Sequence, residues 1–267
     1  MRTAPTAFAA CVVSLIAGSA AGATMTVTFG PGDHGEIVDG RAFGDDLFTV
    51  SATNFRHRVG GSAQLFDPLS GDTARDEDLL GAPFSKGNLV DAEGNLLVGV
   101  TQPELLLTIA DYLTGSESDG IVDQPSDEGS RRNVTGRDGV RRSLTGEMVF
   151  SFDEAMDAER VRLGIVDTEK ASINRSALHL VRDGAVVQTF SLNPTVSGEY
   201  GTPIFGDNSY NEFVFVAAQD FDEIVFEAGG SLGVSYVGLD GGTLIPSPGG
   251  AIAIVTIGGI VVARRRR

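Results

Sequence analysis

The chain has no tryptophan, four tyrosines, three histidines and a single cysteine, Cys11, among its 267 residues. Each scarcity removes a class of chemistry. One cysteine builds no disulfide framework and no cysteine-based zinc site, and any thiol nucleophile would have to be Cys11. Sugar sites stack a ring face on an aromatic side chain, and such rings are few here, though Tyr200, Tyr210 and Tyr236 remain available. His34 follows Asp33, His57 sits between Arg56 and Arg58, and His179 alternates within a β-like run, where it reads as structural. No Walker-type phosphate loop, with its Gly-Lys pair, is present. The chain therefore reads as non-catalytic. A paired-carboxylate glycosidase leaves no linear signature, but such enzymes line their clefts with aromatics that are scarce here.

Long apolar runs are confined to the two ends. At the N terminus, Arg2 precedes a mostly apolar run over 8–17 and then Ala21, Gly22 and Ala23. That order of charge, apolar core and A-x-A site is a secretory signal peptide, with cleavage expected after Ala23. Its core falls short of the roughly 20 residues that span a bilayer. Were Cys11 a lipid-modified residue, most of the apolar core would lie on the wrong side of the cleavage point.

The other end reads Pro246, Ser247, Pro248, Gly249, Gly250, an apolar stretch to Ala263, then Arg264, Arg265, Arg266 and Arg267. As a helix, 249–263 spans about 22 Å, short of the roughly 30 Å hydrocarbon core. Basic residues stay on the cytoplasmic side during export, so the arginine cluster stops the tail at the membrane. A plain tail anchor is the alternative reading. The two prolines, the short stretch and the basic end resemble the PEP-CTERM sorting signal, with Ser247 where that signal usually has glutamate. The resemblance implies cutting by an exosortase-like enzyme, transient anchoring in the inner membrane, and delivery to the cell surface or beyond. The domain organisation is then a signal peptide over 1–23, a secreted domain over 24–243 and a sorting tail over 244–267.

Losing Arg2 and the four terminal arginines takes the formal charge from −16 to −21. So acidic a domain repels nucleic acid and anionic membrane. Its partners should be cations, neutral glycans or basic surfaces.

Between the ends, short alternating apolar segments are separated by Gly, Asp, Asn and Pro, the pattern of strands and turns. Strands are expected over 25–29, 47–53, 63–66, 96–101, 147–152, 161–166, 177–181, 186–192, 212–216, 223–226 and 232–237. The fold class is all-β: an antiparallel sandwich of jelly-roll or carbohydrate-binding-module type, flanked by a signal helix and a transmembrane helix. Asp183-Gly184 is the clearest turn, since Asp-Gly supplies the positive φ angles of a two-residue hairpin. Residues 104–109 fit a short helix or a strand equally well. Residues 114–145 are polar and glycine-rich and read as a long exposed excursion.

Two acidic clusters are candidate metal ligands. Asp67, Asp72, Asp76, Glu77 and Asp78 follow an expected strand; Asp119, Asp123, Asp127 and Glu128 precede Arg131 and Arg132. Packed carboxylates are either solvated or bridged by a hard cation, and Ca²⁺ takes six to eight oxygens. Asp67, Asp72, Asp76, Asp78, Asp123 and Asp127 are the candidate Ca²⁺ ligands, against a solvated or salt-bridged loop. The motif order Phe66-Asp67-Pro68, Gly71-Asp72, Asp78-Leu79-Leu80, Gly94-Asn95-Leu96, then Pro125-Ser126-Asp127-Glu128, Gly206-Asp207-Asn208 and the 230–236 segment resembles the secreted β domains that accompany PEP-CTERM tails. That resemblance implies an extracellular sandwich, often beside exopolysaccharide, and brings no catalytic residues. A carbohydrate-binding module attached to exopolysaccharide is the rival reading.

Overall fold

The computed structural model describes residues 23–55, 63–68, 79, 105–110, 131–192, 205–230 and 232–245. They form a nearly all-β body with one four-residue helix, α1 (Lys170–Ile173). The strands are β1 (Ala23–Thr28), β2 (Ala42–Phe43), β3 (Phe48–Asn54), β4 (Ala63–Phe66), β5 (Leu106–Ile109), β6 (Arg132–Thr135), β7 (Arg141–Leu144), β8 (Gly146–Asp157), β9 (Arg160–Thr168), β10 (Ala177–Arg182), β11 (Ala185–Ser191), β12 (Gly206–Val216), β13 (Phe221–Ala228) and β14 (Gly233–Ile245).

All but β6 and β7 join one large antiparallel sheet that branches at β14. The first part of β14 pairs with β9 on one edge and with β1 and β5 on the other, while β12 extends β9 and β4 extends β5. Its last residues cross to β8, pairing Thr243 with Asp157 and Ile245 with Ala155. β8 in turn lies between β3 and β13, with β10 and β11 beyond. Alternation explains the division of faces: β8 buries Met148, Phe150 and Phe152 while Glu147, Val149 and Ser151 point away. Aromatic pairs tie the branches together. Phe29, just after β1, stacks on Phe150 at 6.3 Å, and Phe190 of β11 meets Phe215 of β12 at 5.1 Å.

Most expected strands are present, and several are longer. β8 runs to Asp157, β12 begins at Gly206, and β14 runs through Gly241 and Gly242 to Ile245. Residues 106–109 resolve as a strand. One expectation is corrected: the end of the 114–145 excursion is a folded hairpin, β6–β7, that leads into the buried Leu144 and Thr145. It holds because Thr145 N–H donates to Ala228 O at 2.8 Å and its hydroxyl to the same carbonyl at 3.0 Å. The strand expected over 96–101, residues 1–22 of the signal segment and residues 246–267 of the sorting tail lie outside the described residues. Among the described residues no helix is long and apolar enough to cross a membrane.

Candidate functional site

Of the six candidate Ca²⁺ ligands only Asp67 is described. Its backbone N–H donates to Nδ1 of His34 at 2.9 Å, so that nitrogen carries no proton. Asp72, Asp76, Asp78, Asp123 and Asp127 lie outside the described residues, as do Ala21, Pro246, Ser247, Pro248, Gly249 and Arg264, Arg265, Arg266 and Arg267. Ala23 is the first residue of β1 and pairs with Gly242. Among the described residues no three His, Cys, Asp or Glu side chains gather to hold a metal ion.

Sequence reasoning missed two buried networks. The first lies under the β6–β7 hairpin. In the ladder, Ala177 faces Glu227 and Glu227 faces Glu147, which places these side chains on the face turned away from the core. His179 lies two residues along on that same face, and both it and Glu227 are fully buried. Nε2 of His179 is 3.2 Å from Oε2 of Glu227, and Nδ1 is 2.9 Å from the Thr189 hydroxyl. The hairpin supplies the cover: Arg137 N–H donates to Glu227 Oε1 at 2.6 Å, and Nη1 of Arg142 approaches Oε2 at 3.3 Å. Arg142 also forks onto Asp138 at 2.6 and 2.7 Å, and Arg137 onto Glu147 at 2.8 and 3.0 Å. Burial pushes the Glu227 carboxyl up, but the His179 and Arg137 hydrogen bonds and the neighbouring charges outweigh it and leave it below its ordinary value. The Arg142 fork holds Asp138 at about 2.

A hydroxyl, an imidazole and a carboxylate in line have the order of a nucleophile relay. Here the imidazole and carboxylate are sealed under the hairpin and the carboxylate is committed to two arginines. The line is an anchor that fastens the hairpin to the sheet. His179 itself is fully buried in β10, between Thr189 and Glu227.

The second network lies on the outward face of β9, β12 and β14. Arg162 reaches Asp240 at 3.0 Å, Glu212 at 3.4 Å and the Thr26 hydroxyl at 3.3 Å. Tyr236 hydrogen-bonds Glu212 through its hydroxyl, and Ser235 donates to the Tyr210 hydroxyl at 2.9 Å. Burial raises the Glu212 carboxyl, with Asp240 adding to the effect and Arg162 opposing it; burial also pushes the Tyr210 phenol up to about 12. Tyr210 and Tyr236 pack with Phe66, Leu79, Leu106 and Val166, at 1 % and 5 % exposure. Neither ring is a platform for a sugar, and Tyr200 lies outside the described residues.

A groove of about 490 Å³ opens further along β8, β10 and β13, lined by Asp153, Glu154, Arg182, Asp183, Asp222 and Glu223 with Ile245 at its edge. Asp222 accepts the Asp183 N–H at 2.9 Å. It is a solvated acidic trough.

No family model matches the chain, and no curated protein does. Among solved structures, the K2 cleaved adhesin domain of Lys-gingipain matches at 12% identity over 84% of this chain and 99% of that one, with a TM-score of 0.33. The enzymatically active domain of tailspike protein 4 from bacteriophage CBA120 matches at 9% identity over 79% of this chain and 21% of that one, with a TM-score of 0.25. At these TM-scores neither likeness carries an argument about what the chain does.

Proposed function

We propose that this chain is an exported, non-catalytic surface protein, whose antiparallel β-sandwich is displayed outside the cell after an exosortase-like enzyme has cut its tail. The observation that supports the reading is where the first and last strands of the described residues lie. β1 (Ala23–Thr28) and β14 (Gly233–Ile245) both lie, Ala23 itself excepted, between the expected cleavage after Ala23 and the Pro246-Ser247-Pro248-Gly249 motif. The two strands are also neighbours, pairing Ala23 with Gly242 and Thr28 with Tyr236. Cuts at these points would leave almost every ladder bond intact, so a processed product keeps its core. The sandwich reading rests on the two branches facing one another through Phe29–Phe150 and Phe190–Phe215.

The test is intact-mass analysis of the protein recovered from an exosortase-bearing Gram-negative host and from the same host lacking that enzyme. The expected product begins at Thr24 and lacks the arginine cluster, and the enzyme-deficient host or a Pro246→Ala/Pro248→Ala variant keeps the tail. An uncut tail in both hosts would overturn the sorting proposal. Ca²⁺ at the acidic loops belongs to the same reading and is argued below at the scale of the whole molecule.

A further inference from the structure

We propose that the β6–β7 hairpin is an acid-released strap: it swings off the sheet as a unit, pivoting at Thr145, while the ladders beneath it stay paired. Its strands pair only with each other among the described residues, so no ladder bond ties them to the main sheet. Apart from the buried Leu144, their residues are exposed or half-buried, and Val140 in the turn is 50% exposed. The polar ties converge on one side chain. Oε1 of Glu227 accepts the Arg137 N–H at 2.6 Å, and Oε2 meets Nη1 of Arg142 at 3.3 Å. The turn sits directly on that carboxylate, since a Cβ added at Gly136 would lie 2.5 and 2.7 Å from its two oxygens. The fork of Arg137 onto Glu147 adds a more exposed tie.

The hairpin's internal bonds are separate from these. Gly136 N–H donates to Val140 O, Gly139 N–H to Gly136 O and Val140 N–H to Asp138 Oδ1, while Arg142 forks onto Asp138. None involves the sheet, so the hairpin can leave with them in place. Thr145 is fixed by contrast: its N–H and hydroxyl donate to Ala228 O, and its carbonyl accepts the Phe55 N–H at 2.9 Å.

The charge on Glu227 decides whether the strap is closed. Ionised, both of its oxygens accept from the hairpin. A proton on Oε1 would face the Arg137 N–H and one on Oε2 would face the Arg142 guanidinium, so either position costs a hairpin donor its acceptor. Arg142 would then lie beside a neutral group under cover, and it regains solvation by leaving. The groups around Glu227 are His179 from β10, Glu147 from β8, Glu223 further along β13 and acting on Arg137, and Arg137, Asp138 and Arg142 from the hairpin. Burial pushes the Glu227 carboxyl up, and the His179 and Arg137 hydrogen bonds with the charges of His179 and Arg142 bring it below its ordinary value of 4.5. The anchoring is therefore complete above that value and is lost as pH falls through the folded one. Opening brings water to Glu227 and His179, both fully buried while the strap is closed.

The strap does not depend on how the chain is exported. It is tested on the full chain by amide hydrogen exchange, read by peptide from pH 7 to pH 3.5 and corrected for the intrinsic exchange rate. An isolated two-stranded hairpin is marginal in water, so a freed strap loses protection. In the wild type, protection over 132–144 should fall about tenfold or more as the pH drops below 4.5, the value of a hydrogen bond to a charged group, while β8 and β13 keep theirs. Glu227→Gln should open the hairpin about tenfold more often than wild type already at pH 7, and should flatten its dependence on pH. Glu212→Gln, which neutralises the other buried strand glutamate, should leave the hairpin's exchange as in the wild type. The wild-type titration gives its answer whether or not a variant folds. Loss of protection by 132–144, β8 and β13 together, a hairpin that stays protected to pH 3.5, or unchanged hairpin exchange in Glu227→Gln at pH 7 would each overturn the strap.

Discussion

Glu227 and Glu212 are both strand glutamates with almost no solvent access, and burial raises both carboxyls. At Glu227 the His179 and Arg137 hydrogen bonds reverse the effect; at Glu212 burial prevails over Arg162. A carboxyl held low in the folded chain contributes stability that is present above its unfolded value near 4.5 and lost as pH falls through the folded value. A raised carboxyl has the opposite sign, its contribution complete below 4.5 and lost as pH rises through the folded value. Glu227→Gln should therefore cost about 3 kcal/mol at pH 7, because Arg142 is left beside a neutral group under cover. Glu212→Gln should cost clearly less, since it removes a charge that burial disfavours. Acid should weaken the wild type below pH 4.5, as Glu227 and Asp138 take up protons, and Glu227→Gln should remove part of that loss. Urea unfolding at pH 7, 4 and 3 measures all three, and equal losses for the two variants at pH 7 would contradict this account.

At the scale of elements, the two-residue turn between β10 and β11 is the feature most fully written in the sequence. Asp183 at φ 51° and Gly184 at φ 75° are both left-handed, as a hairpin matching strand twist requires. Nothing stands within 4 Å of a Cβ added at Gly184, so Gly184→Ala isolates the backbone penalty, about 1 kcal/mol. Gly164 is the contrast: an added Cβ there overlaps the Tyr236 ring and the Ser235 hydroxyl, and Gly164→Ala should cost more than Gly184→Ala in the same denaturation experiment. Equal costs would mean that the Tyr236 ring moves aside freely. Strands with clean alternation, such as β3 and β8, were legible because each buries one face. β14 was legible only to Val237, because Gly238, Gly241 and Gly242 look like turn residues; Gly238 and Gly242 instead admit the Arg162 and Met25 side chains against the strand. The β6–β7 hairpin was illegible for a different reason. Its strands are arginine-rich and polar, and what fixes them is Glu227, 85 residues beyond Arg142.

Across the whole molecule, a chain with a formal charge of −16 and a single cysteine is held by its core, its ladders and internal ion pairs. Self-repulsion opposes that compact state, and any cation that binds the native form alone relieves it. Screening and a specific site make different demands on the ion. Mg²⁺ and Ca²⁺ at equal ionic strength screen alike, but acidic loops of irregular spacing suit the larger ion, which accepts six to eight oxygens in flexible geometry. If Asp67, Asp72, Asp76, Asp78, Asp123 and Asp127 contribute to such a site, Ca²⁺ at a hundredfold excess over its dissociation constant adds about 2.7 kcal/mol, roughly 5 to 10 °C in melting temperature. Mg²⁺ should give a much smaller rise. Asp72→Asn/Asp78→Asn should lose the difference between the two ions while keeping the common screening part, because the carboxylates leave but the rest of the charged surface stays. Equal rises with Ca²⁺ and Mg²⁺ in the wild type would reduce both loops to solvated carboxylates.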